Sequence, residues 1–223
     1  MIKSEKIIDA KDCLILDIQK HIELVNKTIR LKDEVYGEIK TPSITHSPVF
    51  SYFDKPVTNV IPRSNRSLVE VYHSIKGGEF SKQTKQLRGL SDQVAARKYK
   101  ASNFDYVTFS GIFSKRHDAG LVRHSGLITI DFDHIDNPDF LKNKLLNDRF
   151  FDTELLFTSP SGHGLKWVIL SDLTQVSHQD YFKAIENYIK HTYNLYIDPS
   201  GKDVSRACFL PHDPKVFINP KYL

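Results

Sequence analysis

Cysteine is scarce in this chain. Only Cys13 and Cys208 occur in 223 residues, far apart and without CxxC spacing, which excludes a disulfide framework and a zinc knuckle and fits a reducing compartment. No apolar run is long enough to span a bilayer, and the opening MIKSEKIIDAKD breaks its apolar residues with charges too often for a signal peptide. The expectation is a soluble, cytoplasmic protein with no membrane partner. Low-complexity tracts and internal repeats are also missing. The charge excess is small: 31 Lys and Arg against 27 Asp and Glu give +4, so attraction to polyanions must come from local clustering. With 40% hydrophobic and 11% aromatic residues, the composition is that of a folding chain, and the length suits one domain with a helical appendage.

Ile15, Ile18, Ile22, Val25 and Ile29 recur at three- and four-residue steps, predicting an amphipathic helix from Lys6 to about Leu31. Residues 1–45 therefore read as a helical extension and linker, and 46–223 as the main domain. Gly37 to Arg66, with four prolines, reads as a surface connector holding one β-like stretch, Val49 to Phe53. Helices are expected from Ser67 to Lys76 and from Ser81 to Lys98. Strands are expected at Tyr106–Phe113, Gly126–Asp133, Thr153–Thr158 and Leu165–Leu170, with a helix at Pro138–Asp148. A helix from Ser177 to Tyr193 and short strands at Ala207–Leu210 and Val216–Ile218 complete an α+β fold.

The strand Gly126-Leu-Ile-Thr-Ile-Asp131-Phe-Asp133 ends in two carboxylates one residue apart. Alternation puts both on one face, with Cα atoms roughly 6.6 Å apart. Paired carboxylates suit a hard cation such as Mg²⁺ or Mn²⁺, and a solvated loop start is the competing reading. Ser159-Pro-Ser161-Gly162-His163-Gly164-Leu-Lys166 joins two strands. Its glycines and serines would let amides approach an anion, with Lys166 adding charge, although the spacing is not that of a Walker loop and a plain hairpin turn is the alternative. Asp198 and Asp203 lie ahead of Arg206, a donor suited to phosphate, in a segment that also reads as an Asp-Pro-Ser-Gly turn with a structural ion pair. Lys82, Lys85, Arg88, Arg97, Lys98 and Lys100 cluster around the single acid Asp92. Phe80, Tyr99, Phe104 and Tyr106 are interleaved with them, as in a nucleic-acid groove or a solvated helix face. His134-Ile-Asp136 has the HxD spacing of a two-histidine, one-carboxylate iron site, but helices between the strands argue against the all-β fold such sites use.

Four phrases occur in order: Thr108-Phe-Ser-Gly-Ile-Phe, His124-Ser-Gly-Leu-Ile-Thr-Ile-Asp-Phe-Asp, Ser159-Pro-Ser-Gly-His-Gly-Leu-Lys, and Asp203-Val-Ser-Arg-Ala-Cys-Phe followed by Asp213-Pro. In these the chain, from about Phe50 to Pro220, resembles the archaeo-eukaryotic primase superfamily, specifically the primase-like domain found before VirE-type helicase modules in Bacteroidetes mobile elements. The resemblance implies a small α/β unit joined to an RRM-like antiparallel sheet. It implies Asp131, Asp133 and Asp198 as catalytic metal ligands, with Asp203 competing for the third place. Ser161, Gly162, His163, Lys166 and Arg206 would bind nucleotide. Lys166 stands where that superfamily usually has histidine, and His163 lies three residues earlier.

The expected function is a primase-polymerase-like nucleotidyltransferase that acts on a DNA template with nucleoside triphosphates and Mg²⁺ or Mn²⁺, in replication or mobilisation of a mobile element. Two rivals remain. One is a non-catalytic module that binds single-stranded nucleic acid or a partner helicase; the other is a metal-dependent nuclease.

Overall fold

The computed structural model describes residues 46–223, so the expected N-terminal helix and most of the linker lie outside the described residues. In chain order the strands are β1 (Val49–Phe53), β2 (Ser64–Ser67), β3 (Tyr106–Thr108), β4 (Gly111–Phe113), β5 (Leu121–His124), β6 (Leu127–Phe132), β7 (Thr153–Thr158), β8 (Leu165–Leu170), β9 (Cys208–Phe209) and β10 (Phe217–Ile218). The α-helices are α1 (Leu68–Lys76), α2 (Ser81–Arg88), α3 (Gln93–Asn103), α4 (Pro138–Leu146) and α5 (His178–Tyr193). The fold is mixed α+β with antiparallel pairing throughout. None of its described helices is long and apolar enough to cross a membrane.

Local chemistry explains the helix ends. Ser67 and Glu70 form a reciprocal cap on α1: the Ser67 hydroxyl accepts from the Glu70 amide at 3.3 Å, and the Glu70 carboxylate accepts from the Ser67 amide at 2.7 Å. Leu68, Val71, Tyr72 and Ile75 then make one buried stripe. Ser177 caps α5 by accepting from the Asp180 amide at 3.1 Å, and Asn194 in a left-handed conformation ends it.

Three expectations need correction. The helix expected from Ser81 to Lys98 is two helices: α2 stops at Gly89, and Asp92 starts α3 by accepting from the Ala95 amide at 2.7 Å. The strand expected over Tyr106–Phe113 is broken in two, because the Thr108 hydroxyl donates to the Gly111 carbonyl at 3.1 Å across a turn, and β3 and β4 then join different sheets. The connector leaves the surface along β1, although none of residues 54–66 is buried. Phe50, Tyr52 and Phe53 are at most 1% exposed, and β1 is an inner strand of its sheet. Sequence reading also missed β5, which pairs with β4.

The first sheet runs β2-β1-β3-β9 and the second β10-β7-β8-β6. In the second, β6 and β7 flank β8 and are joined through α4, a split βαβ arrangement. Side chains alternate across this sheet. Leu127, Leu155, Phe157 and Val168 join a core with β1, α1 and β3, whereas Ile128, Ile130, Phe132, Trp167 and Ile169 pack with α4 and α5. The second sheet is therefore buried on both faces, and its β6 edge is not covered by another strand.

Candidate functional site

Alternation along β6 places Thr129 and Asp131 on the Leu127 face, and Asp133 keeps that face one residue past the strand end. Directly after it, His134 adopts a positive φ of 54° and turns the chain away. The register of β6 against β8 sets Asp131 opposite Lys166. Their carboxylate and ammonium form an ion pair in which each side chain is only 13% exposed.

Asp198 arrives from the other side. After α5 the chain returns along the free edge of β6, where the Asp198 amide donates to the Asp131 carbonyl at 3.0 Å. Asp198 then caps a 3-10 turn, Pro199–Lys202, with Oδ1 accepting from the Ser200 amide at 2.9 Å and hydroxyl at 2.6 Å. Its Oδ2 accepts from Arg206 Nη2 at 2.6 Å. One carboxylate oxygen from each of Asp131, Asp133 and Asp198 lies within 4.8 Å of the other two, the sole such group of potential ligands among the described residues. Asp131 Oδ1 is buried with no hydrogen-bond partner, so the cluster holds one acceptor still to be satisfied.

Asp131 opens into a cleft also lined by Lys166, His178, Asp203, Arg206 and Cys208. Burial pushes Lys166 down to about 8, with the charges of Lys100 and Arg206 adding to it and Cys208 and Asp198 opposing. Burial alone would raise the Asp198 carboxyl. Hydrogen bonds from Ser200 and the charges of Arg206 and Lys166 outweigh that and hold it below the usual carboxylate range. Burial pushes the Cys208 thiol up, against the pull of Lys166.

His178 belongs to a chain of hydrogen bonds. The Gly126 amide donates to His124 Nδ1 at 3.0 Å, which leaves the proton of a neutral His124 on Nε2. That nitrogen sits 3.1 Å from His178 Nδ1, and His178 Nε2 is 3.3 Å from the Gly201 carbonyl. Every ring nitrogen is committed when both histidines are neutral, so His178 holds the 3-10 turn that bears Asp198 and is not free to shuttle protons.

Of the residues singled out in the sequence, Asp131, Asp133, Asp198, Lys166 and Arg206 converge. Asp203 lines the cleft but stands outside the carboxylate group. Lys166 and Arg206, expected to meet nucleotide, are instead held by Asp131 and Asp198. Ser161, Gly162 and His163 sit on the β7–β8 turn, with Ser161 and His163 exposed. The turn binds its own amides: Gly162 donates to Ser159 at 2.9 Å, and Ser159 to Gly164 at 2.8 Å. It abuts the Asp133 end of β6, since a Cβ on Gly164 would lie 2.2 Å from the Phe132 carbonyl and the Ile135 amide donates to the His163 carbonyl at 2.9 Å. Among the interleaved aromatics, Phe80, Phe104 and Tyr106 are buried and only Tyr99 retains partial exposure, so base stacking on the other three is ruled out. His134 and Asp136 join no ligand group among the described residues.

Residues 98–217 match the family model described as BT4734-like, N-terminal domain. No curated protein and no solved structure matches the chain.

Proposed function

The chain belongs to the BT4734-like N-terminal domain family, and from the geometry of its acid cluster we propose that it is a primase-polymerase-like nucleotidyltransferase domain that acts on DNA. The observation that carries this reading is the convergence of Asp131, Asp133 and Asp198 from two separate segments, with their oxygens within 4.8 Å. Three hard oxygen donors fit Mg²⁺ or Mn²⁺, and the unpartnered Asp131 Oδ1 is the acceptor such an ion would satisfy. Bound there, the metal would supply a lowered pKa for an attacking 3′ hydroxyl and neutralisation of the leaving pyrophosphate. Arg206 and Lys166 would turn from their carboxylate partners towards the triphosphate, where the guanidinium gives two parallel donors and the ammonium a point charge. The β7–β8 turn, with Ser161, Gly162 and His163, would flank the same phosphates from the Asp133 side. The four ordered sequence phrases and the split βαβ unit of β6, α4, β7 and β8 support a primase-polymerase-like fold.

A second reading has its own observation. Lys166 and Arg206 already neutralise two of the three acids, which suits a non-catalytic module that keeps the fold and binds single-stranded DNA or a helicase. Incubation with an end-labelled primer-template, mixed nucleotides and Mn²⁺ separates the readings. The proposed function predicts extension that Asp131→Asn with Asp133→Asn abolishes. Equal extension by both proteins, or none by either, overturns it, and shortening lost in the variant moves the chain to the nucleases.

A further inference from the structure

Helices α2 and α3 present a surface that the acid cluster does not explain. Across Ser81 to Asn103 stand Lys82, Lys85, Arg88, Arg97, Lys98 and Lys100 with Asp92 as the single acid, and that carboxylate is committed to the α3 cap. The 11-residue helix α3 buries none of its side chains. A helix of this length ordinarily owes its stability to an apolar face packed on a core. Here Val94 on α3 is 74% exposed, and Arg97, Lys98 and Lys100 repel one another without an acid on the same helix to offset them.

The pair is nonetheless fixed in place. Arg88, at the end of α2, donates from Nε to the Pro160 carbonyl at 3.2 Å and from Nη2 to the Ser159 carbonyl at 3.3 Å, gripping the β7–β8 turn. Tyr99 on α3 donates its hydroxyl to Gln86 of α2 at 2.9 Å. Lys100 lies over the Phe209 ring at 5.7 Å, beside Cys208 of the cleft. The cationic strip thus runs from the glycine turn to the mouth of the acid site.

We infer that α2 and α3 form a docking surface for the phosphate backbone of single-stranded DNA, leading the strand to the cleft. The chemistry is charge complementarity: exposed Lys and Arg on a fixed scaffold release counterions from a polyanion, and the strand relieves the repulsion within α3. With three of the four nearby aromatics buried, the surface reads phosphates and not bases. That this strand serves as the template rests on the function proposed above; its binding here does not.

The test is fluorescence anisotropy with a labelled mixed-sequence single-stranded oligonucleotide over a salt series. Lys82→Glu, Arg97→Glu and Lys98→Glu together change only exposed side chains, and a Gln version guards against misfolding. A control carries Lys144→Glu, Lys183→Glu and Lys190→Glu on α4 and α5. The Gln version removes three phosphate contacts without adding repulsion, so it is expected to flatten the slope of log affinity against log salt by about 2 units. It and the Glu version should both bind several-fold more weakly, with the control close to wild type. Unchanged binding in the Glu and Gln versions, or an equal loss in the control, overturns the inference. Failure of the nucleotidyltransferase reading is distinguishable: strip-dependent binding with no nucleotide incorporation leaves the inference standing, whereas incorporation without strip-dependent binding leaves only the proposed function.

Discussion

Lys166 and Asp131 face each other across β8 and β6, and the burial of this pair sets a condition on any cation that enters. Removing one partner of a buried pair leaves the other charge uncompensated, at a cost of about 3 kcal/mol or more. Lys166→Met is therefore expected to lower the melting temperature without metal and to regain most of the loss on addition of Mn²⁺, because the ion takes over the charge that Lys166 now neutralises. Thermal denaturation of both proteins with and without Mn²⁺ checks this, and equal Mn²⁺ shifts in the two would contradict it. Asp131 and Asp133 were legible in the sequence, since alternation along one strand fixes which residues share a face, whereas Asp198 rested on the family resemblance. The ion pair of Arg206 was one of the two readings of its segment, but the partner of Lys166 was not legible. That Lys166 meets Asp131 instead of nucleotide depends on the register between two strands separated by α4 and β7, and register is a property of tertiary pairing.

At the scale of elements, the histidine chain ties β5, α5 and the Asp198 turn together. His124 is pushed down from 6.5 to about 4, first by burial and then by the neighbouring His178. Between those values the unfolded chain binds more protons than the folded one, so stability is complete above about pH 6.5 and is lost as pH falls towards 4. Burial likewise lowers His178, while Gly201, Asp118 and Asp203 oppose the shift. His124→Gln removes the titrating ring, so its melting temperature should fall less than that of wild type between about pH 7 and about pH 4.5. A wild-type decline no steeper than the variant's would contradict the neutral chain. β7 and β8 were readable because short apolar runs bounded by a Ser-Pro-Ser-Gly turn leave little choice. The break between α2 and α3 was also encoded, in Gly89 and Asp92, but the density of helix-forming residues on either side masked it. β1 gave its bounds and not its depth, since four prolines nearby pointed to a surface segment while Phe50, Tyr52 and Phe53 carry it into the core.

Across the whole molecule, the site occurs where the two sheets part. Asp131 and Lys166 lie on the face of the second sheet that looks towards the first, and Cys208 of the first sheet's edge strand β9 closes the cleft beside them. Both cores exclude water behind this point, which strengthens every charge interaction in the cleft. Titration with Mn²⁺ followed by electron paramagnetic resonance tests the central claim most directly, because it reads the cation at the acid cluster without requiring turnover. Wild type is predicted to bind Mn²⁺, and Asp131→Asn combined with Asp198→Asn to lose that binding; indistinguishable titrations of the two proteins would contradict the account.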